Sequence, residues 1–392
     1  MRTVAIVSEF NPFHLGHRYL VDSVRGAYGP DTCIIALMSG NYTQRGDAAF
    51  ADKLTRAASA IEGGVDLVLE LPLPYAIASA EYFARAGVRL AAALGVVDTL
   101  AFGSECGDID LLTRVAQRLS SEEYLTALRK EDKAHPDMGH ARTAEGVYRA
   151  LYGDEGASLL ASPNNVLALE YIRANLALPS PLALMTVKRL GDYHSLALQD
   201  ASASAIRASL LRGEEDGYLA MPEASRAPLR AAVASGHAPA ALSRLGPILL
   251  SFFRFTAPPA DDDLGHRLKK AAVRAVDFEE FLALAATKRY THAHLRRAVL
   301  HRYLGSTSAD ISAPPAYTQV LGMNERGRIA LRRAAKAAAI PILTKPADAR
   351  EFCGAAARQV ALAQRGDLIY PLAMPVPMAG NAFILVSPYC KK

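Results

Sequence analysis

The chain is short of the patterns that mark disulfide-stapled, zinc-stapled or membrane-spanning proteins. It has four cysteines, Cys33, Cys106, Cys353 and Cys390, with no CxxC spacing among them. Thiols scattered in this way exclude a disulfide framework and a cysteine-based structural zinc site. A catalytic thiol needs a neighbouring base, and none is identifiable beside Cys106; Cys33 reads as a small hydrophobe within a strand. No basic segment followed by a long apolar run opens the sequence, so neither a signal peptide nor a transmembrane helix is expected, and cytoplasm is the expected location. No fixed-period repeat is present, which argues against a solenoid.

What is present is a chain of 392 residues, 51% hydrophobic and 21% charged, large enough to bury a substantial core and to divide into two or more domains. Its net charge of +5 permits nucleic-acid binding without requiring it. The distribution says more. Arg267, Lys269, Lys270 and Arg274, then Lys288, Arg289, Arg296, Arg297 and Arg302, then Arg326, Arg328, Arg332, Arg333 and Lys336 concentrate cations in the last third, a footprint suited to a phosphate backbone.

Short apolar, β-branched runs at residues 3–7, 33–38, 66–71 and 99–102 predict strands, and residues 17–25, 50–61 and 78–94 predict the helices between them. This rhythm predicts βαβ units, hence an α/β fold with a Rossmann-like parallel sheet covered on both faces. Residues 108–149 are helical and charged, with a weak break at His135-Pro136-Asp137, and read as an insertion over the sheet edge or the site. A helix at 166–175 is expected to start at Ser162, as its N-cap, and Pro163; a further strand is expected at 182–188, with Tyr193-His194-Ser195 in the loop beyond it. After a helix at 202–212, Ala-rich helices from about 239 to 336 predict a second, mainly helical domain, followed by a helix and a strand-like tail at 382–386.

The stretch from Ser8 to His17 follows the first strand and reads as a nucleotide-phosphate cradle. Pro12 stiffens the turn, Gly16 permits close approach, and a new helix aims its free N–H groups at an anion. His14 and His17 share one face of the first turn, where imidazoles donate to phosphate and neutralise charge that builds up as pyrophosphate leaves. On the residues alone, the alternative is that His14 caps the helix and His17 lies on the surface.

This segment resembles the HxGH signature of the nucleotidyltransferase superfamily. Gly40-Asn41-Tyr42-Thr43-Gln44-Arg45-Gly46, Asp66-Leu67-Val68-Leu69-Glu70-Leu71-Pro72, Ser79-Ala80-Glu81-Tyr82-Phe83-Ala84, Phe102-Gly103-Ser104-Glu105 and Ser162-Pro163-Asn164-Asn165 narrow the likeness to the bacterial tRNA(Met) cytidine acetate ligase family. Val187-Lys188-Arg189 and Ala201-Ser202-Ala203-Ser204-Ala205-Ile206-Arg207 extend it, and Lys288-Arg289-Tyr290-Thr291-His292 and Val320-Leu321-Gly322-Met323-Asn324-Glu325-Arg326-Gly327 carry it more thinly to the C-terminal half.

The resemblance implies ATP binding by Val7, Ser8, Glu9, Phe10, Asn11, Pro12, Phe13, His14, Gly16 and His17, with Gly103, Asn164 or Asn165, Lys188 and Arg189. The segment ending in Ser204 and Arg207 resembles the second superfamily signature, which holds the β- and γ-phosphates; Ala203 stands where serine is usual and Ser204 where threonine is usual. An arginine fork grips phosphate in two places, which makes Arg189 the stronger of the pair at the strand end. Gln44 and Arg45, with Lys53 and Arg56 on the following helix, are expected to meet the acyl substrate or RNA. Glu70, Glu81 and Glu105 are carboxylates near strand ends, without an assignable base among them. Lys288, Arg289, Arg296 and Arg297 are expected to bind tRNA, while His292 and His294, two apart, are badly spaced for a shared helical metal site.

The implied activity is an ATP-dependent ligase that converts acetate and Mg-ATP into acetyl-adenylate, then acetylates the wobble cytidine of elongator tRNA(Met) through contacts to its anticodon arm. His14, His17 and Arg189 would be catalytic, with no protein-ligated metal and no tightly bound organic cofactor. The expected division is residues 1–215 as the catalytic domain and 216–392 as the tRNA-binding domain. Rival readings are a small-molecule adenylyltransferase, disfavoured by the long basic C-terminal half, and an RNA-binding protein that holds ATP without turnover.

Overall fold

The computed structural model describes residues 1–135, 138–189, 202–384 and 387–391. Among the described residues, eight strands form one sheet: β1 Thr3–Ser8, β2 Cys33–Ser39, β3 Leu67–Leu71, β4 Thr99–Ser104, β5 Ala183–Lys188, β6 Thr318–Met323, β7 Ile342–Leu343 and β8 Tyr389–Cys390. The order is β5-β4-β1-β2-β3-β6-β7, with β8 also on β6, and the first five strands are mutually parallel. The helices that matter below are α1 Leu15–Tyr28, α2 Lys53–Glu62, α3 Ala80–Ala93, α4 Pro163–Leu176, α5 Ala203–Leu211, α6 Glu223–Ala234, α7 His292–Leu304, α8 Glu325–Ala337 and α9 Gly354–Ile369.

β1, β2 and β3 are buried at every residue, and this is why they read as unbroken apolar runs. Alternate side chains feed two cores: Ala5, Val7, Ile35, Leu37 and Leu69 pack beneath α3 and α4, whereas Val4, Ile6, Ile34, Ala36 and Val68 face Val21, Val24, Ala57 and Ile61 of α1 and α2. After β3 the chain returns to the other side of β1 to lay down β4. The strand order therefore switches at β1, and a crevice opens outside the carboxyl ends of β1 and β4 where such sheets bind ligands.

The C-terminal half contributes more than helices. β6 lies inside the stretch read as Ala-rich helix, yet it pairs antiparallel with β3, and α8 packs on β2 and β3. The core around Leu249, Phe253, Phe281 and Leu300 also takes in Tyr42, Leu73 and Ile77 from the N-terminal half, so packing continues across the boundary expected at 215/216.

The insertion at 108–149 is helical, as Ile109–Leu119, Glu122–Ala134 and most of His140–Tyr152. It packs through Leu112, Val115 and Tyr148 into the core beneath α4 and lines neither cavity of the site described below. In the tail, residues 381–384 form a turn rather than a strand. Pro136 and Asp137, the Tyr193-His194-Ser195 loop, Ala201 and residues 385–386 fall outside the described residues. Among the described residues, no helix is long and apolar enough to cross a membrane.

Candidate active site

The turn after β1 is built around buried aromatics. Phe10 takes a left-handed backbone (φ 45°) and packs edge-on against Phe13, their ring centroids 5.0 Å apart. Phe13 is fully buried and Pro12 lines neither cavity of the site, so both shape the loop rather than face a ligand. Arg56, expected to meet substrate, is buried instead. Its guanidinium donates to the carbonyls of Glu9, Ser39, Gly40 and Ala51, clamping the ends of β1 and β2.

His14 is the N-cap of α1. Its Nδ1 accepts the Gly16 N–H at 3.0 Å, while its own N–H donates to His17 Nδ1 at 3.2 Å, closing a reciprocal capping box. A Cβ on Gly16 would lie 2.9 Å from His14 Cε1, so the imidazole itself requires glycine there. The two rings stack with centroids 3.8 Å apart.

Because each Nδ1 is an acceptor, each neutral imidazole carries its proton on Nε2. Burial, then the charges of Arg189 and Arg207, lower the His14 pKa to about 3; burial, His14 and Arg189 hold His17 well below its ordinary value. Both rings are therefore neutral in this structure, each with Nε2–H as the donor it can offer a phosphate. Capping and ligand binding also cease to be alternatives, since capping uses Nδ1 and leaves Nε2–H for a ligand.

A narrow cavity of about 140 Å³ lies at the switch point, lined by Val7, Ser8, Gly16, His17, Gly103, Asn164, Lys188 and Arg189. It adjoins a cleft of about 790 Å³ lined by Glu9, Asn11, His14, Gln44, Arg45, Ser204, Arg207, Arg296 and Arg297, among others. Arg189 Nη1 donates to Asn164 Oδ1 at 3.4 Å. Asn165 turns away: it is buried, and its Oδ1 accepts the Cys106 N–H.

Ser162 holds the N-cap position of α4 without a side-chain hydrogen bond. Glu105 does that work, accepting from the N–H groups of Asn164 and Asn165 and from Asn164 Nδ2. This makes Glu105 a helix cap. On α5, Ser202 caps the Ala205 N–H, Arg207 Nη2 donates to Ser204 Oγ at 3.1 Å, and Arg207 Nη1 donates to the Asn11 carbonyl at 2.6 Å. Arg207 thus ties the two motifs together.

Residues 41–48 form the third wall. Glu9 Oε1 accepts the Gln44 N–H at 2.5 Å, so this carboxylate faces the loop. Arg296 and Arg297 of α7 donate to the carbonyls of Arg45 and Gln44, both at 3.3 Å. Gly46 has a φ of 73° and a Cβ there would lie 2.5 Å from the Arg297 nitrogen, so only glycine lets α7 approach this closely.

Lys53 faces no substrate. It is buried, with Nζ 2.8 Å from Glu70 and 2.6 Å from Asp367 of α9, while Asn41 accepts from the Lys53 N–H and donates to Asp367. Glu70 is thereby a structural partner, and Glu81 makes an exposed contact to Arg85, 3.9 Å away.

The basic footprint divides. Arg296 and Arg297 belong to the cleft, whereas Lys288 and Arg289 line a separate cavity of about 620 Å³ with Asp263, Arg267, Thr287 and Tyr290. On α8, Arg326 pairs with Asp66 at 3.6 Å and Arg333 reaches the Met1 carbonyl, at the opposite end of the sheet.

Phe83, quoted above only as part of a motif, and Leu167 and Tyr171, not singled out at all, also line the cleft. Leu167 and Tyr171 follow Asn164 by three and seven positions, so helical spacing alone puts all three on one face.

The family described as HIGH Nucleotidyl Transferase matches residues 1–381. The tRNA(Met) cytidine acetate ligase of Thermoanaerobacter sp. strain X514 is 34% identical over 364 residues, covering 90% of each chain. That of Syntrophotalea carbinolica is 36% identical over 366 residues, covering 88% of this chain and 85% of its own. Among solved structures, Thermotoga maritima TmcAL bound with alpha-thio ATP superposes with a TM-score of 0.89 and its apo form with 0.90; each is 30% identical, covering 100% of this chain and 99% of its own. The likeness runs the length of the chain, through the β1 motif, the α5 motif and the late strand β6 alike, and the chain belongs to the tRNA(Met) cytidine acetate ligase family of HIGH nucleotidyl transferases.

Proposed function

We propose that this protein activates acetate with Mg-ATP and transfers the acetyl group to the wobble cytidine of elongator tRNA(Met), giving N4-acetylcytidine. The observation that carries the reading is that His14 and His17, each with Nε2 free of the capping box, line one cleft with Arg189 and Arg207.

In the first half-reaction an acetate oxygen attacks the α-phosphate, and the bond to the β-phosphate breaks. Charge accumulates on the departing pyrophosphate, where fixed N–H donors and guanidinium groups stabilise it more than they stabilise bound ATP. His14 and His17 supply the donors; Arg189, Ser204 and Arg207 hold the phosphates, and magnesium enters as part of the Mg-ATP substrate. Gly103, Asn164 and Lys188 line the narrow cavity, which suits the nucleoside end.

In the second half-reaction the cytidine amine attacks the acetyl carbonyl and AMP leaves. Gln44, Arg45, Arg296 and Arg297 line the same cleft and are the groups we assign to the acyl group and the incoming RNA. Residues 216–392 serve as the half that holds the anticodon arm, with Lys288 and Arg289 contributing phosphate contacts outside the cleft. A tRNA substrate puts the reaction in the cytoplasm.

The test is incubation with ATP, magnesium, labelled acetate and unmodified tRNA(Met), followed by nuclease digestion and mass spectrometry. ATP-dependent label on cytidine supports the reading. Labelled acetyl-adenylate with unlabelled RNA keeps the activation chemistry and rejects the acceptor.

A further inference from the structure

Acetylation of an amine releases a proton, and the imidazoles of the site are badly placed to take it. In each, the Nδ1 lone pair is occupied by a backbone N–H, that of Gly16 for His14 and that of His14 for His17, and Nε2 already carries hydrogen. Protonating either ring means opening the capping box that starts α1. Among the described residues, the remaining ionisable groups on the cleft wall are the arginines, Tyr171, whose hydroxyl burial makes harder to ionise, and two carboxylates, Glu9 and Asp47.

Glu9 is fixed from both ends. Its carbonyl is gripped by the buried Arg56 guanidinium, and its Oε1 is anchored by the Gln44 N–H at 2.5 Å. No described residue donates to the second oxygen, Oε2. A carboxylate beside a triphosphate would repel it, whereas a carboxylate with one open oxygen fits an amine. Asp47 is held through its backbone, its carbonyl accepting the Thr43 N–H at 2.9 Å and its own N–H donating to Thr43 Oγ1 at 3.4 Å, while no described residue anchors its carboxylate as the Gln44 N–H anchors that of Glu9.

We propose that Glu9 is the catalytic residue that accepts the proton of the cytidine exocyclic amine. This rests on the acetate-ligase reading above. As the nitrogen lone pair attacks the acetyl carbonyl carbon, the C–N bond forms. The C–O bond to the adenylate phosphate then breaks, and AMP leaves with its electron pair. The N4 proton passes to Glu9 Oε2 and from there to water.

The Glu9→Gln variant tests this, because its amide oxygen still accepts the Gln44 N–H while its basicity is gone. Two rates are compared with wild type: acetate-dependent ATP–pyrophosphate exchange, and single-turnover acetyl transfer from synthetic acetyl-adenylate to an unmodified tRNA(Met) transcript. Transfer is expected to fall by about 10² or more while exchange changes by no more than about threefold. The same two rates are measured in Asp47→Asn. Parallel loss of both rates in Glu9→Gln, unimpaired transfer in that variant, or the loss appearing in Asp47→Asn instead would each overturn the assignment. If wild-type protein shows neither rate, the acetate-ligase reading fails first and Glu9's role falls with it.

Discussion

His14 caps α1 through Nδ1 and, on the proposed reading, meets ATP through Nε2–H, and a pair of substitutions separates the two roles. In His14→Asn, the Asn Oδ1 sits near the place of Nδ1 and can accept the Gly16 N–H now bonded at 3.0 Å, so the cap on α1 survives. In His14→Ala, no acceptor remains and the helix start loses about 0.5–2 kcal/mol. Neither variant has a donor in place of Nε2–H. Losing one preorganised donor to a developing oxyanion costs about 10²–10³ in rate. The expectation is therefore that His14→Asn is about 1 kcal/mol more stable than His14→Ala, yet both lose acetate-dependent pyrophosphate exchange by the same two to three decades, roughly, with tRNA affinity nearly intact. Urea denaturation gives the first comparison, exchange of labelled pyrophosphate the second, and filter binding the third. Recovery of exchange in His14→Asn in step with its stability would refute the reasoning: the imidazole would then be a cap and nothing more.

Three further outcomes follow from the same geometry. Lys53→Met strands Glu70 and Asp367 around a missing cation, and an uncompensated buried charge costs about 3–5 kcal/mol, read from the denaturation midpoint; a loss under about 1 kcal/mol would show that the cluster is solvated. Burial and Arg189 depress the His14 pKa to about 3, so its contribution to stability is present above its ordinary 6.5 and is lost as pH falls. From pH 6.5 to about 5 this amounts to about 2 kcal/mol. His14→Asn should flatten the decline by that amount, while Asp367, which burial holds up at about 6, contributes with opposite sign below that pH and is common to both proteins. Gly46→Ala places a Cβ 2.5 Å from the Arg297 nitrogen at a left-handed residue, so KM for tRNA is expected to rise more than KM for ATP; equal changes would place the loop in the nucleotide site.

The central sheet was legible because its strands are buried on both faces, and a strand with no solvent side has no polar alternation to blur it. β6 was not. Its six residues sit among Ala-rich helices, and nothing local says that Val68 will pair with Gly322. Lys53 and Arg56 were misjudged for the same reason. A cation following a glycine-flanked loop looks solvent-facing until its partners are known, and those of Lys53 stand 17 and 314 positions away.

Charge carries this lesson furthest. Fourteen cations in the last third of the sequence looked like one surface for RNA, but a count along the chain assigns no direction in space. Folding sends Arg296 and Arg297 to the cleft, Lys288 and Arg289 to a neighbouring cavity, and Arg326 and Arg333 to the far end of the sheet. Contributions of charge fall off over about a Debye length, near 8 Å at physiological salt, so cations at opposite ends of the strands do not act on one phosphate. An RNA bound at the cleft would be held by the first group and, where its backbone reaches far enough, by the second. Arg326 is already committed to Asp66, so neutralising it should disturb the amino ends of β2 and β3 before it disturbs RNA binding.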